Sequence, residues 1–442
     1  MLSPLQKFGK ILNNYIDSIL GFIILIAFLL RVIPLFFPLP PIVSDAHEYY
    51  LLAQNLLEGN GFSLSGNPTA YRMPGYPFLL AGIMALSHSP IAIYIFQALC
   101  ETLTCVFLFF IGKNVFSKKI GLVASAFWAT FPVSIFQTHF LLTESCYTTL
   151  LTGSMAILFS SHRLKPFPLI LLGTLCGYAS LIKPHTIGLI VVIFIYIIKK
   201  EKEYKTIMLQ CGVIMIVTLS ILSPWIIRNW IVFEKIMLTT NGGVNFWIGN
   251  NPQATGSYYE ENSLEKYSTE LEKNKKGYQL GWEFINSQSP KHILELTIKK
   301  CAYLFSSESP LAIQRHHVPP KKRYAAVYAH TPLFELIGIN IHYVSFMLMG
   351  TAGIIILVHN KTNFSFFLSL FIGFWIIVHL IYFGASRFHY PILPFFILTS
   401  SYFLLSKEKL IQIKQKLFFG LCVIFLVGIW MIEILTVICF SS

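Results

Sequence analysis

Charge is what this sequence has least of. Asp, Glu, Lys and Arg together make up 12% of its 442 residues, and only 20 of them are acidic. The 33 Lys and Arg leave a net charge of +13, yet a basic nucleic-acid binder gathers such residues on one soluble face. Here many stand in short loops between apolar runs, so that class is excluded. There are eight cysteines and no CxxC pair. Cys100, Cys105, Cys146, Cys176, Cys211, Cys422 and Cys439 fall inside apolar runs, where a thiol is a small hydrophobe and neither a metal ligand nor half a disulfide. No repeat of fixed period and no low-complexity tract is present. The first apolar run, Ile19 to Phe37, is too long for a signal peptide, and Pro38-Leu39-Pro40-Pro41 after it is no cleavage site, so it is expected to remain as an anchor.

What is present is apolar: 55% of residues are hydrophobic and 15% aromatic, with a mean hydropathy of +0.64. These values define an all-helical, polytopic integral membrane protein. Further spans are expected at Ile91 to Ile111, Ile120 to Phe136, Phe140 to Phe159, Pro168 to Ile182, Thr186 to Ile198, Ile207 to Trp225, Leu333 to Val358, Phe364 to Phe383, Tyr390 to Leu405 and Leu417 to Phe440. With the first, that makes about eleven. Tyr76 to Leu86 is apolar but too short to cross and reads as interfacial or re-entrant.

Lys7 and Lys10 before the first span favour a cytoplasmic N-terminus. The loops then assigned to the inside carry Lys113, Lys118 and Lys119; His162, Arg163 and Lys165; Lys199, Lys200, Lys202 and Lys205; Lys361; and Lys407, Lys409, Lys414 and Lys416. Those assigned to the outside hold little beyond Arg72, Lys183 and Arg387, as the positive-inside rule requires. The chain divides into an N-terminal transmembrane module over 1–225, with a first outer loop at 38–90, an extracytoplasmic segment over 226–331 and C-terminal spans over 332–442. In the middle segment Ser263 to Ile285 reads as an amphipathic helix. Leu294, Ile298, Cys301 and Phe305 make a helical stripe suited to lipid headgroups or to covering the spans below.

The first outer loop is the richest in chemistry. Asp45, Glu48, Tyr49 and Ala53 fall at helical spacing, so one short helix holds both acids on a face near the membrane surface. Tyr71-Arg72-Met73-Pro74-Gly75-Tyr76-Pro77 follows, stiffened by two prolines. Ionisable residues at a membrane edge point to function by default, and here they collect on one side. Glu144 sits just inside its span in the run His139 to Glu144, Lys183-Pro184-His185 makes a short turn, Arg228 follows a span, and Arg387 opens Arg387-Phe388-His389-Tyr390-Pro391. Bland alternatives stand beside each. Lys183, Arg228 and Arg387 can snorkel to lipid phosphates, Asp45 can cap its helix, and Arg31 suits snorkelling or helix pairing better than ligand binding. Glu144, a carboxylate in a span with no basic neighbour in sequence, is the hardest to explain structurally. Glu101, His342, His379 and Glu433 sit in spans with nothing tying them to the others and read as structural. Asp45, His47 and Glu48 are metal-ligand types without a second cluster, which leaves a divalent metal as an option only. Gly242-Gly243 and Gly249 to Pro252 are turn signals first.

Such a set suits group transfer from a lipid-linked phosphate. A carboxylate near the acceptor acts as general base, Arg and Lys hold the departing phosphate, and the spans form a groove for the lipid tail.

The motifs SDAHEYYLLAQNLLEGNGF, YRMPGYP, LLTES, GYASLIKP, SPWIIRNW, GGVNFWIGNNPQATGSYY and SRFHYPILP, in this order between about Ser44 and Pro394, resemble the polytopic GT-C glycosyltransferases. The nearest branch is the bacterial one related to dolichyl-phosphate-mannose protein mannosyltransferases and the lipid A aminoarabinose transferase. The resemblance implies an inverting glycosyltransferase of the cell (inner) membrane that uses a polyprenyl-phosphate sugar, requires no cofactor, and acts on a protein, lipid or glycan acceptor outside the cytoplasm. It implies Asp45 as the catalytic acid after the first span and Glu144 as an acceptor-binding or orienting acid. Lys183, Arg387 and Arg228 would bind the donor phosphate, with Glu48, Tyr49, Arg72, Tyr76, His389 and Tyr390 shaping the site. Two departures stand out: a lysine at 183 gives a point charge where relatives carry arginine before proline, and Glu48 could share the role of Asp45. The rival readings are a polymerase or ligase of lipid-linked glycans, which needs a diphosphate donor, and a lipid-sugar flippase, which should place charges near the midplane and show repeat symmetry.

Overall fold

The computed structural model describes residues 4–87, 89–160, 165–308, 333–406 and 413–441. The inside-loop residues His162, Arg163, Lys407 and Lys409, and the end of the middle segment at 309–331, lie outside them, as do the side chains of Lys7, Lys10, Lys414 and Glu433.

The described chain is almost wholly helical: α1 (Pro4–Val32), α2 (Asp45–Leu57), α3 (Gly75–Leu86), α4 (Ile91–Val115), α5 (Lys118–Thr130), α6 (Pro132–Gln137), α7 (Glu144–Leu158), α8 (Pro166–Ile182), α9 (Thr186–Lys200), α10 (Tyr204–Phe233), α11 (Gly242–Gly249), α12 (Glu270–Ser287), α13 (Pro290–Leu304), α14 (Leu333–His359), α15 (Asn363–Ile381), α16 (Ser386–His389), α17 (Leu393–Leu405) and α18 (Ile413–Ser441). A two-residue ladder pairs Ser63 with Pro68 and Leu64 with Asn67 inside the first loop.

Among the described residues seven helices are long and apolar enough to cross a membrane, against the eleven or so expected. The difference lies in the short members. At 1.5 Å per residue, the 15 residues of α7 and of α9 reach only about 23 Å, less than the ~30 Å of a hydrocarbon core. The expected span over 120–136 breaks in two because Pro132 has no N–H to donate and holds Phe131 in the extended region at ψ 115°. The span expected from Phe140 begins only at Glu144, and the one expected from Tyr390 is preceded by α16 and a 3₁₀ turn over Tyr390–Ile392.

The peripheral helices explain the apolar surface. Along α1 Phe22 is 64% exposed and Leu25 52%, a face that suits lipid tails. Of the span windows, 72% of Ser386–Leu405 is buried but only 17% of Gln415–Ile432. Arg31 joins α1 to the core: its NH1 donates to Ala27 O and Ala129 O, and its NH2 to Trp128 O and Ser134 Oγ. With no exposed surface, Arg31 pairs helices and does not snorkel.

In the middle segment the helix expected from Ser263 starts at Glu270, where the Thr269 hydroxyl accepts from Glu272 N. Ser289 caps α13 in the same way, with Pro290 at its first position. Gly242-Gly243, expected as a turn, opens α11. The α13 stripe divides: Leu294 is 60% and Ile298 52% exposed, while Phe305 is buried.

Candidate active site

Asp45 is the first residue of α2, and Ser44 before it is the N-cap, at the unusual φ of +53° and without a side-chain cap bond. The Asp45 carboxylate therefore does not cap its helix. Arg72 NH2 donates to Oδ1 at 2.6 Å and Arg387 NH1 to Oδ2 at 2.7 Å, so both oxygens are held. One turn on, Glu48 Oε2 accepts from Arg72 Nε at 2.5 Å, the same-face arrangement that the helical spacing predicts. The Arg72 guanidinium lies over the rings of Tyr49 and Tyr71, 5.5 and 5.3 Å from their centroids. Burial by itself would raise the Asp45 pKa, but the guanidiniums of Arg387 and Arg72 outweigh it and hold the carboxyl well below the usual carboxylate range. Burial also pushes the Tyr49 hydroxyl up to about 12.

A second pair lies beside the first. Lys183 Nζ is 3.1 Å from Glu144 Oε1, with Glu144 at the buried start of α7 and Lys183 at the end of α8. The same ammonium lies 5.8 Å from the ring of Phe388, the neighbour of Arg387. The apparent lack of a basic partner for Glu144 was a matter of sequence distance; the partner is 39 residues away. Tyr76 completes the buried wall: its hydroxyl donates to Gln97 Oε1, and Gln97 Nε2 donates to Thr138 O and Phe140 O.

Arg228 is placed differently from the expectation of a phosphate ligand. Its NH1 donates to Thr69 O and Asn229 Oδ1, and its NH2 to Phe62 O, so its donors go to the backbone of the first loop and to its own neighbour. Glu270, from the first turn of α12, grips the same loop by accepting from Thr69 Oγ1 at 2.8 Å and Ala70 N at 2.9 Å. The segment that carries Arg72 is thus fixed from two sides. Sequence reasoning missed Glu270, whose only signal was its place in the first turn of a capped helix.

The middle segment also holds the Arg387 loop. Gly384 N donates to Gly256 O, and Lys300 Nζ donates to Asn250 Oδ1 and Leu380 O. A Cβ on Gly249 would overlap Tyr382 O, and one on Gly384 would overlap Lys300 O, so both positions need glycine for close backbone approach. His389 and Tyr390, expected at the site, face into the fold: Tyr390 OH donates to Glu101 Oε1, and His389 lies between Leu304 O and Glu308. Glu101, read as structural, is thereby tied to the Arg387 loop, and Trp128 Nε1 donates to its other oxygen. His379, also read as structural, packs against His185, Trp375 and Phe388 near Lys183. His342 contacts Gly338 O of its own helix. Among the described residues no group of three His, Cys, Asp or Glu is arranged to hold a metal, and His47 is exposed.

The described chain is thus an all-helical bundle with a charged cluster beside a small helical segment, and it is similar both to a known sequence family and to solved membrane-enzyme structures. Residues 69–228 match the family described as dolichyl-phosphate-mannose-protein mannosyltransferase. Arg72, Glu144, Lys183 and Arg228 lie within that range, and Asp45 and Arg387 outside it. No curated protein matches the chain. The fold is similar to that of the Archaeoglobus fulgidus oligosaccharyltransferase in its apo form, at TM-score 0.53 and 14% identity over 94% of this chain and 55% of that one. The archaeal oligosaccharyltransferase AglB from the same organism, in complex with an inhibitory peptide and a dolichol-phosphate, matches at TM-score 0.52 and 13% identity, over 94% and 55%. ArnT from Cupriavidus metallidurans bound to undecaprenyl phosphate matches at TM-score 0.43 and 11% identity, over 86% and 78%. The chain spans about half the length of the archaeal structures.

Proposed function

We propose that the protein is a membrane glycosyltransferase that moves a sugar, with inversion, from a polyprenyl-phosphate carrier to a protein, lipid or glycan acceptor on the extracytoplasmic side. The observation that carries this reading is the Asp45 carboxylate held between Arg72 and Arg387, with the Lys183–Glu144 pair alongside. One ionised acid and two cations close together are what transfer from a phosphate requires. The family match over 69–228 supports it.

The acceptor hydroxyl gives its proton to Asp45 as its oxygen attacks the anomeric carbon, and the bond from that carbon to the phosphate oxygen breaks. The electron pair leaves with the polyprenyl phosphate. In the structure Asp45 occupies the very cation assigned to the phosphate, so the donor must take Arg387 from it. Arg387 suits this exchange, being 41% exposed, whereas Arg72 is 16% exposed and anchored by Glu48. Once Arg387 turns to phosphate, Oδ2 of Asp45 is free and the carboxylate regains basicity. Lys183 adds a second cation and Glu144 orients it. Arg228 and Glu270 keep the Arg72 loop in place. The reading requires no cofactor.

The test is mass spectrometry of membrane lipids and envelope glycans from cells lacking the protein, complemented with wild type or Asp45→Asn. Accumulation of a polyprenyl-phosphate sugar and loss of a decoration, reversed only by wild type, is the expected result. If neither species changes, the transferase reading is wrong.

A further inference from the structure

His389 follows Arg387 by two residues and has no exposed surface. Both ring nitrogens are engaged at 2.6 Å, Nδ1 with Leu304 O and Nε2 with Glu308 Oε1. A carbonyl oxygen only accepts, so Nδ1 carries a hydrogen and donates it. A bare carboxylate facing the lone pair of Nε2 would set acceptor against acceptor, so a second hydrogen is shared between Nε2 and Glu308. The ring is stacked as well as bonded: Tyr343 lies nearly parallel to it at 4.9 Å and 14°, and Phe305 at 6.5 Å and 6°. It cannot turn without losing both hydrogen bonds.

Glu308 is 3% exposed and is itself held, its backbone N–H donating to Asn340 Oδ1 at 3.0 Å. The residues between the ring and the guanidinium are few. Arg387 and His389 share the four-residue helix α16, and Trp375 Nε1 donates to Phe388 O within it. A displaced ring at 389 would therefore carry the Arg387 backbone with it. Nothing in the transfer chemistry above uses Glu308, although a carboxylate buried this deeply is costly unless it is bonded.

We propose that Glu308 is a positioning residue, which by fixing the His389 ring holds Arg387 at the Asp45 carboxylate. It rests on the donor-binding reading in one respect: Arg387 is there the group that takes the donor phosphate, and Glu308 sets where it waits. The device reaches the site from the stretch that follows α13, so the middle segment also aims one of the cations of the cluster.

The test is a double-variant cycle on the full chain in lipid nanodiscs, followed by thermal unfolding. Glu308→Ala lowers the melting temperature in the wild-type background. In an Asp45→Asn background, where Arg387 has no carboxylate to be held against, the same change has a shift smaller by about a third or more, since only coupled sites depart from additivity. Glu308→Gln, whose amide donates to Nε2, gives a smaller shift with coupling of the same sign, and it decides the matter if Glu308→Ala fails to fold. Equal shifts in the two backgrounds would overturn the proposal. Binding of undecaprenyl phosphate, used as the probe, is measured on the same proteins and is expected to weaken several-fold in Glu308→Ala. The melting cycle needs no lipid. If wild type does not bind the probe, the donor reading falls while the cycle still decides the positioning role.

Discussion

Replacing Asp45 with Asn removes the centre of the charged cluster while keeping its shape. Two charge-assisted hydrogen bonds are affected, from Arg72 at 2.6 Å and Arg387 at 2.7 Å. Bonds to charged groups contribute ~1.5–3 kcal/mol each, or about 3–6 kcal/mol for two. Three features reduce the loss. The Asn oxygen still accepts from one arginine, Arg72 retains Glu48, and Arg387 at 41% exposure recovers hydration. A net loss of about 2 kcal/mol remains. Its pH dependence follows from the direction of the shift. The folded-state pKa of Asp45 is depressed, so its contribution is fully present above the unfolded value of about 3.9 and is lost only as pH falls through the lower, folded value. Equilibrium unfolding in mixed micelles should therefore show a constant gap between wild type and Asp45→Asn from pH 7 to pH 5, which narrows below about 4. Glycosyl transfer should fall by ~10²–10⁴-fold in the variant. A gap that closes between pH 7 and pH 5, or no gap at all, would refute the two-arginine account.

The remaining predictions concern the frame around the cluster. Arg31→Met removes the donor to Ala129 O and one of three donors to Trp128 O and should cost about 1–3 kcal/mol, seen as a lower melting temperature and less monodisperse protein on size-exclusion chromatography. Glu270→Ala releases Thr69 and Ala70; a cost of about 1–3 kcal/mol and faster proteolysis of the 60–72 loop are expected, and unchanged cleavage would count against its clamping role. Burial pulls the Lys300 ammonium down to about 8. At this residue the unfolded state then binds more protons than the folded one between pH 8 and about 10.4, so the contribution of Lys300 to stability rises with pH across that window, by about 1 kcal/mol per unit at its steepest. The stability difference between wild type and Lys300→Met, read from paired melting curves, should change by that amount in favour of wild type as pH rises from 8 to about 10, and a difference independent of pH would count against it.

Much of this arrangement was legible because it depends on local pattern. The apolar runs located the bundle, and the helical spacing of Asp45 and Glu48 put both on one face, where Arg72 meets them. What failed to show was pairing over distance. Glu144 looked unpartnered because Lys183 arrives from another helix. Arg228 looked like a free cation because the carbonyls it binds, at Phe62 and Thr69, carry no side-chain signature. Glu101 looked incidental and Glu308 drew no reading for the same reason, since Tyr390 and His389 reach them across 289 and 81 residues. Helix length was misjudged where proline intervened, since hydropathy continues through Pro132 while the hydrogen-bond ladder does not.

The bond between Asp45 and Arg387 joins residues 342 positions apart, which has a consequence for how the protein is made. At ~5–20 residues per second, a ribosome needs roughly 20–70 s to extend the chain from one to the other. Through that interval Asp45 has Arg72 at most, and the pocket that tames its charge is half built. The last cation arrives only when nearly every helix has been threaded into the bilayer. A chain interrupted at any earlier helix therefore presents Asp45 with Arg72 alone, so the end of synthesis and the completion of the charged cluster nearly coincide.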